Sequence, residues 1–474
     1  MSTEDEARVT YLRSLPAVRE TCQRVYALAR EDKLPSFSVD AAKIPAVAQY
    51  VIDVIREGYP NNEAGVPFHS RWRHFETGNP QRVPKLTASW QCDPKEKARR
   101  LIDLALVSVL LDAGAGPTWK YKEPGTEDLY SRSEGLGIAS FHMFTSGAFS
   151  SDPSTSPHRV DADALINLPS DAIDKAFQVV SVGERLSYAW ELTLWKLVER
   201  INKPSRRLRG PHKSFEGRRI FEMIKMLRLT ANSSKRLGQS IKAHPQYFRS
   251  ADGSTLRPGN LVDYVFDKKN DQNEVSITVL WEGVIYGLQD IWPESRTRIA
   301  GKNMGDVWEL SYLTSDEKSG KHVAFHKLSQ WLTYSLMEPL QDAGLKITDL
   351  KYMTGLPEYR NGGLLVDYGV LVPKKASILT EALDPSSEVI VEWRALTVAL
   401  LDEIHQVILQ QLKLSADVFP LVKVVKGSSG NRHPKAGRLT MLEGGSWKAG
   451  RILAKAKRPD GSPPIKIQSD GTVF

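Results

Sequence analysis

Apolar residues recur at helical spacing through most of the chain, with Pro and Gly as punctuation. In the first hundred residues the spacing predicts helices over Arg19 to Arg30 and Ala46 to Arg56, the second stopped by Gly58-Tyr59-Pro60-Asn61-Asn62. The polar and aromatic run Val66 to Glu76 reads as an ordered loop. Lys95 to Asp112 predicts a helix whose second half is apolar nearly all round, hence a core helix, ended by Gly114-Ala115-Gly116-Pro117. An aromatic helix follows Arg132 to Gly137, and Ala189 to Ile201 is amphipathic. Lys203 to Arg219 is rich in Arg, Pro and Gly and reads as a surface insertion. Val275 to Tyr286 mixes β-branched and aromatic residues, and periodicity leaves both strand and helix open.

Further on, Phe325, Leu328, Trp331, Leu332, Leu336 and Leu340 form an apolar stripe that predicts a helix from His322 to Gly344, kinked or ended near Pro339. Lys327, Gln330 and Tyr334 fall at i, i+3 and i+7 and share another face. Asp384 as N-cap and Pro385 at the first helical position open a long helix to about Leu412. The tail 424–474 is rich in Gly, Lys and Arg but keeps Trp447 and an alternation of Ile465 and Ile467, the pattern of a docked segment. The expected fold is mainly α with a small β-sheet, in one large domain over 1–474.

Composition narrows the class. Of 474 residues 41% are apolar and 25% charged, a globular balance. Lys and Arg number 64 against 56 Asp and Glu, and the net +8 permits anionic ligands without indicating nucleic acid. Cys22 and Cys92 are far apart, which argues against a disulfide framework or a Cys-based zinc site. The start Met1 to Glu6 is acidic, and the longest apolar run, Leu104 to Leu111, is too short to span a bilayer. The expectation is a protein with no membrane partner, cytoplasmic or also nuclear, of unspecified oligomeric state.

There is no phosphate loop, no His-Glu-x-x-His helix and no Gly-x-Ser-x-Gly elbow in the sequence. The densest chemistry is Pro357 to Asp367, where Glu358, Tyr359, Arg360 and Asn361 precede a double glycine. Glu358 and Asp367 are placed to flank a reacting centre, and a carboxylate against an apolar wall stabilises an oxocarbenium-like sugar or activates water. An Arg360–carboxylate pair in a tight turn explains the same residues equally well. The loop with His69, Arg71, Arg73 and His74 beside Phe68, Trp72 and Phe75 suits a phosphate and a flat ligand, or a solvated loop anchored by its aromatics. Arg132 with Glu134 reads as a ligand contact or an ion pair, and Asp112 as a ligand contact or a helix end. No metal or cofactor is required, because carboxylates and cations supply charge stabilisation and proton transfer.

Several of these stretches belong together. Phe68 to Glu76, Leu110 to Gly116, Arg132 to Gly137, Pro357 to Gly363 and the ending Ser469 to Phe474 resemble the uracil catabolism protein 4 family over nearly the whole chain, and against that family residues 200–261 read as a surface insertion. The resemblance implies a role in a fungal and bacterial route that opens the ring of a uracil nucleotide and finally frees urea. A ribosylurea on such a route needs its C1′–N bond broken, which implies an N-ribosidase. Ala324-Phe325-His326-Lys327-Leu328-Ser329-Gln330 is similar to the Phe-Tyr-Lys-Arg-Ala-Gln helix of queuosine-salvage N-glycosidases, and Glu358-Tyr359-Arg360 stands where those enzymes have Asp-Tyr-Arg. Their fold is like that of helix-hairpin-helix DNA glycosylases, and their Lys and Asp are the catalytic pair. The likeness implies Lys327 and Glu358 as catalytic residues, with Asp367 a further candidate. Around them stand Arg360, Tyr359, Arg71, Arg73, His69, Trp72, Asp112, Arg132, Glu134, His326, Gln330 and Asn361 as substrate contacts, with Trp72 or Trp119 as a pocket wall. Two other readings compete. One is an amidohydrolase acting on the ureido group with Asp367 or Glu134 as base. The other is a non-catalytic nucleic-acid or partner-binding protein using the basic stretch Lys448 to Arg458.

Overall fold

Ser14 caps the helix Leu15–Arg30 by accepting the Ala17 N–H, and Pro16 occupies its first turn. Asp93 does the same for Pro94–Leu110, accepting the N–H groups of Lys95 and Glu96, and every residue of that helix from Leu101 onward is buried, as its all-round apolarity requires. The computed structural model describes residues 3–78, 81–112, 119–169, 171–179, 233–250, 253, 255–425 and 445–468. Over these the architecture is mainly helical, as expected, and the small β component takes the form of six separate two-stranded ladders. No helix among the described residues is long and apolar enough to cross a membrane.

Two large hydrophobic clusters hold the elements together. One gathers Pro94–Leu110, Arg132–Thr145, Ile277–Gly287 and the Trp331 side of Lys327–Asp342. The other gathers Leu15–Arg30, Ile44–Gly58, Tyr359–Tyr368 and Glu388–Leu412. In the last of these, Ile390, Leu396, Leu400 and Ile404 are fully buried, each contributing about 1.5–3 kcal/mol, which outweighs the weak helix propensity of its β-branched residues. Lys327 lies between Phe325 of the second cluster and Trp331 of the first, and Glu358 between Leu356 of the first and Leu364 of the second. Both therefore fall on the seam between the cores, where polar groups reach the interior without breaking either one.

Local structure departs from the sequence pattern at identifiable points. The helix expected from His322 begins only at Lys327: His322–Ala324 pairs antiparallel with Val307–Glu309, and His326, at a left-handed φ of 48°, turns the chain between strand and helix. Pro339 neither ends nor replaces this helix, which runs to Asp342. Lacking an N–H, Pro339 frees the Ser335 carbonyl, and Trp72 Nε1 donates to it at 2.7 Å. The helix expected from Pro385 starts at Glu388 behind Ser387, because the Asp384 carboxylate accepts the Ser386 N–H at 2.8 Å and closes a turn instead. Val275 to Tyr286 is both candidates in succession, strand Glu274–Ser276 and helix Ile277–Gly287, and the 66–76 loop contains a short helix, Trp72–Phe75.

The described part of the stretch expected as an insertion, from residue 233 on, contributes side chains to the core. Leu237, Ile241, Phe248 and Leu261 are fully buried, since an apolar pattern hidden among basic residues still packs when a neighbour offers a face; residues 200–232 lie outside the described residues, as does Ala189 to Ile201. The tail is docked where described. Helix Ser446–Lys457 packs on Tyr359–Tyr368, Ile465 is buried, and Lys466–Ile467 pairs in parallel with Ala382–Leu383. Residues 113–118 and 469–474 of the recognised motifs are also outside the described residues.

Candidate active site

Lys327 is the first residue of its helix, and no side chain of its own turn caps it. The cap comes from Asp306: the Lys327 N–H donates to Asp306 Oδ2 at 3.0 Å. Arg394 grips the same carboxylate with two 2.7 Å bonds, Nη1 to Oδ1 and Nη2 to Oδ2, and Trp308 Nε1 adds a third at 2.7 Å. Burial raises the Asp306 pKa, but Arg394 and these donors outweigh it and hold the carboxyl well below the usual range. The Lys327 ammonium is thereby presented from a fixed helix start, with the residue only 8% exposed and Nζ 5.8 Å from the centre of the Trp331 ring.

Glu358 precedes the helix Tyr359–Tyr368 in extended backbone, and its side chain does not cap that helix. It turns inward. Oε1 lies 3.6 Å from Lys327 Nζ and 3.5 Å from His69 Nε2, and Oε2 accepts Asn361 Nδ2 at 3.4 Å. Asn361 is itself fixed, donating to the Leu356 carbonyl at 3.0 Å and accepting Ser446 Oγ at 2.9 Å. Burial, the largest influence, pushes the Glu358 carboxyl up, but His69 and Lys327 together reverse it and leave the pKa below the ordinary value. The group is an ionised carboxylate in a residue 8% exposed.

The i, i+3, i+7 face of the Lys327 helix positions this carboxylate. Gln330 Oε1 accepts the Thr354 N–H at 3.0 Å, Gln330 Nε2 donates to Thr354 Oγ1 and to the Phe325 carbonyl at 3.0 Å each, and Tyr334 Oη donates to the Thr354 carbonyl at 2.9 Å. Gln330 therefore holds the segment leading to Glu358.

Beside the pair lies an aromatic ring that the sequence reading did not single out. Trp331, counted there as one of an apolar stripe, has His69 and His74 rings at 6.3 and 5.8 Å and the Arg71 guanidinium at 5.6 Å. Burial and the charges of Arg71, His69, Arg73 and Lys327 keep His74 well below its ordinary pKa, hence neutral. Arg71 is fully buried and donates to Asp112 Oδ2 at 2.6 Å and Ser108 Oγ at 2.8 Å, while Asp112 Oδ1 accepts Ser133 Oγ at 3.1 Å.

The structure thus brings Glu358, Lys327, His69 and Asn361 into direct contact, with Arg71 and its partner Asp112 behind Trp331. Other expected residues are employed elsewhere. Asp367 is clamped by Arg458, with Nη1 to Oδ1 at 2.7 Å, and stands apart from Glu358. The His326 ring donates Nε2–H to the Leu12 carbonyl at 2.7 Å and packs on Trp281, so it faces away from the pair. Arg73 is spent on Glu338, and the Arg71–Asp112 pair leaves the 66–76 loop without the free cations a phosphate needs. Trp72 bonds the Ser335 carbonyl and Trp119 the Phe177 carbonyl at 3.0 Å, and the aromatic ring beside Lys327, His69 and His74 is that of Trp331. Arg360 stacks 5.1 Å over Tyr359 on the first turn after Glu358. Glu134 is pushed up to about 7, mainly by burial, with Asp112 raising it and Arg451 and Arg132 lowering it. Asp306 and Arg394 carry no local sequence signal, since they meet across 88 positions.

Comparison with known proteins adds a family. The profile of the family described as "Protein of unknown function (DUF1688)" matches residues 11–201 and 224–474. "Protein urg3" of Schizosaccharomyces pombe is 36% identical over 480 residues, covering 100% of both chains. "Uracil catabolism protein 4" of Lachancea kluyveri is 35% identical over 500 residues, covering 98% of this chain and 99% of its own.

Proposed function

This chain belongs, over its full length, to the family of Protein urg3 and Uracil catabolism protein 4, and from that premise we propose that it acts in uracil catabolism as an N-ribosidase, hydrolysing the C1′–N bond of a ribosylurea or its 5′-phosphate to release urea. The observation that carries the reading is the buried, ionised Glu358 carboxylate held between Lys327 and His69 on the seam of two cores. In so poorly solvated a place a fixed negative charge favours the positive charge that develops at C1′ as the N-glycosyl bond lengthens. Glu358 also takes the proton of the attacking water, and the Lys327 ammonium keeps the carboxylate oriented and donates to the departing ureido group. Trp331 supplies a flat face for the sugar. The pair coincides with the one implied by the likeness to queuosine-salvage N-glycosidases, which supports a glycosylase-like arrangement.

A second reading has one observation in its favour. Glu134, pushed up to about 7, suits a general base for an amidohydrolase attacking the ureido carbonyl, whereas Asp367 is taken by Arg458. Products separate the two. The purified protein is incubated with ribosylurea and with its 5′-phosphate, and products are read by mass spectrometry. Urea with intact ribose or ribose 5-phosphate is the expected result. Ammonia and carbon dioxide with a ribosylamine would replace it by the amidohydrolase, and no turnover of either compound by folded protein would overturn both.

A further inference from the structure

We propose that His69 is the general acid of this reaction, giving its Nε2 proton to the nitrogen that leaves C1′; the inference rests on the N-ribosidase reading and names the proton donor within it. A ureido nitrogen is a poor leaving group as an anion, so its bond to C1′ breaks readily only when a proton arrives as it departs. Lys327 offers the departing group a fixed charge and a hydrogen bond. An imidazolium is a much stronger acid than an ammonium, and it is the better matched of the two to neutral pH.

Geometry singles out His69 among the buried histidines of the described residues, which are His69, His74, His326 and His405. Its Nε2 lies 3.5 Å from Glu358 Oε1, the oxygen that also has Lys327 Nζ at 3.6 Å. The other three meet no carboxylate. His74 Nδ1 faces Arg71 Nη1 at 3.5 Å, and the rings of His326 and His405 meet the Leu12 and Phe419 carbonyls at 2.7 and 2.8 Å. His69 is also held in place. Its N–H donates to the Val422 carbonyl at 3.2 Å, and the residues after it are pinned to the helix that carries Lys327. There the Arg71 N–H donates to Ser335 Oγ at 2.9 Å, Trp72 Nε1 donates to the Ser335 carbonyl at 2.7 Å, and Ser70 and Arg73 both bind Glu338. Imidazole, carboxylate and ammonium are thus fixed relative to one another before a ligand enters. The charged and titratable groups around His69 are Glu358 and Lys327 across the seam, and Arg71, Arg73 and His74 on its own segment. Arg71 and Arg73 are paired with Asp112 and Glu338, and Lys423 in the segment behind donates to the Ala64 and Val418 carbonyls. A carboxylate beside an imidazole favours its protonated form, the form an acid needs.

The step balances. As the C1′–N bond breaks, its electron pair stays on nitrogen, which takes the Nε2 proton, and the positive charge left at C1′ is met by Glu358. Water then bonds to C1′ and gives its proton to Glu358. This leaves a carboxyl and a neutral imidazole 3.5 Å apart, and the proton crosses from Oε1 to Nε2 to restore both groups. In an oxocarbenium-like path bond breaking runs ahead of water addition, so acid and base act in turn and serve from neighbouring positions.

The test follows urea release across about pH 5 to 9 for the full-length wild type and His69→Gln, each below its melting transition, with His69→Asn as the second variant if the first does not fold. The substrate is ribosylurea or its 5′-phosphate, whichever turns over. A second substrate, 4-nitrophenyl ribofuranoside, has a leaving group that departs as an anion and needs no proton. Wild-type kcat is expected to fall as pH rises, the limb of an acid that must be protonated, and the variant to lack that limb. At neutral pH the variant should lose about 10²–10⁴-fold on the ureido substrate and less than about tenfold on the nitrophenyl riboside. An alkaline limb that the variant keeps, a wild type without one, or equal losses on both substrates overturns the acid and leaves the N-ribosidase standing. If the wild type does not cleave the nitrophenyl riboside, the alkaline limb alone decides. No urea release by the folded wild type removes the N-ribosidase, and the role of His69 with it.

Discussion

The Asp306 carboxylate accepts the backbone N–H of Lys327 at 3.0 Å, so the lysine that faces Glu358 is held by an acid 21 residues upstream. Arg394 secures that acid with two bonds of 2.7 Å, and both side chains are fully buried. Asp306→Asn removes the charge and leaves Arg394 uncompensated. It should lower the unfolding free energy by about 3–5 kcal/mol in a denaturant titration. A loss below about 1 kcal/mol would mean the pair is solvated in solution and does not anchor the helix. Because its folded pKa is depressed, the stability Asp306 contributes is present above the ordinary carboxylate range and lost as pH falls through the folded value.

Glu358→Gln keeps shape and removes charge. Turnover of the ribosyl substrate should fall by about 10²–10⁴-fold at a temperature where the variant is fully folded, with ligand binding retained, as measured by urea release alongside thermal denaturation. Wild-type kcat in this variant would end the assignment of the carboxylate. Lys327→Met should lose turnover as well, leaving Glu358 with His69 and Asn361.

Asp367→Asn distinguishes a structural acid from a catalytic one. Its forked pair with Arg458 ties the tail to the Glu358 helix, with the arginine side chain 25% exposed. The expected loss is about 1–3 kcal/mol of stability, less than for a fully buried pair, with kcat unchanged below the melting transition. A kcat loss of about a hundredfold in folded protein would return Asp367 to the catalytic set.

Gln330→Leu should act through position rather than contact. It strips the Thr354 N–H and the Phe325 carbonyl of their partner, costing about 1–3 kcal/mol. Since Thr354 leads to Glu358, kcat should drop at a temperature where the variant is fully folded, with KM little affected. Unaltered kcat would show that Tyr334 alone holds the segment.

Glu134 gives a pH signature. Its pKa of about 7 lies above the unfolded value, so the folded state retains a proton that the unfolded chain has lost. Its contribution is fully present below the ordinary glutamate pKa, declines as pH rises and is gone above about 7. Glu134→Gln should therefore match the wild type in acid and exceed it above neutral pH, by about 1–2 kcal/mol once solvent screening is allowed for. Parallel stability curves across pH 4–8 would contradict this.

Much of this was legible in the residues. The buried helix ending at Leu110, the mainly helical class, the docking of Ile465 and the shared face of Lys327, Gln330 and Tyr334 all follow from periodicity, because burying a stripe requires residues at fixed angular spacing. Glu358 and Lys327 were singled out by motif, but motif could not weigh Asp367 against them. That depended on Arg458, 91 positions away, reaching Asp367 and not Glu358. Likewise no pattern separates the basic side chains of the 66–76 loop; Asp112, Glu338 and Glu358, the partners of Arg71, Arg73 and His69, come from three other segments of the chain. Sequence by itself determined which residues seek the interior and where chemistry is concentrated, since both are properties of single side chains and short spacings. Only the tertiary structure decided which charges neutralise one another, because a charge in a poorly solvated seam takes its state from whatever the rest of the chain brings within a few ångströms.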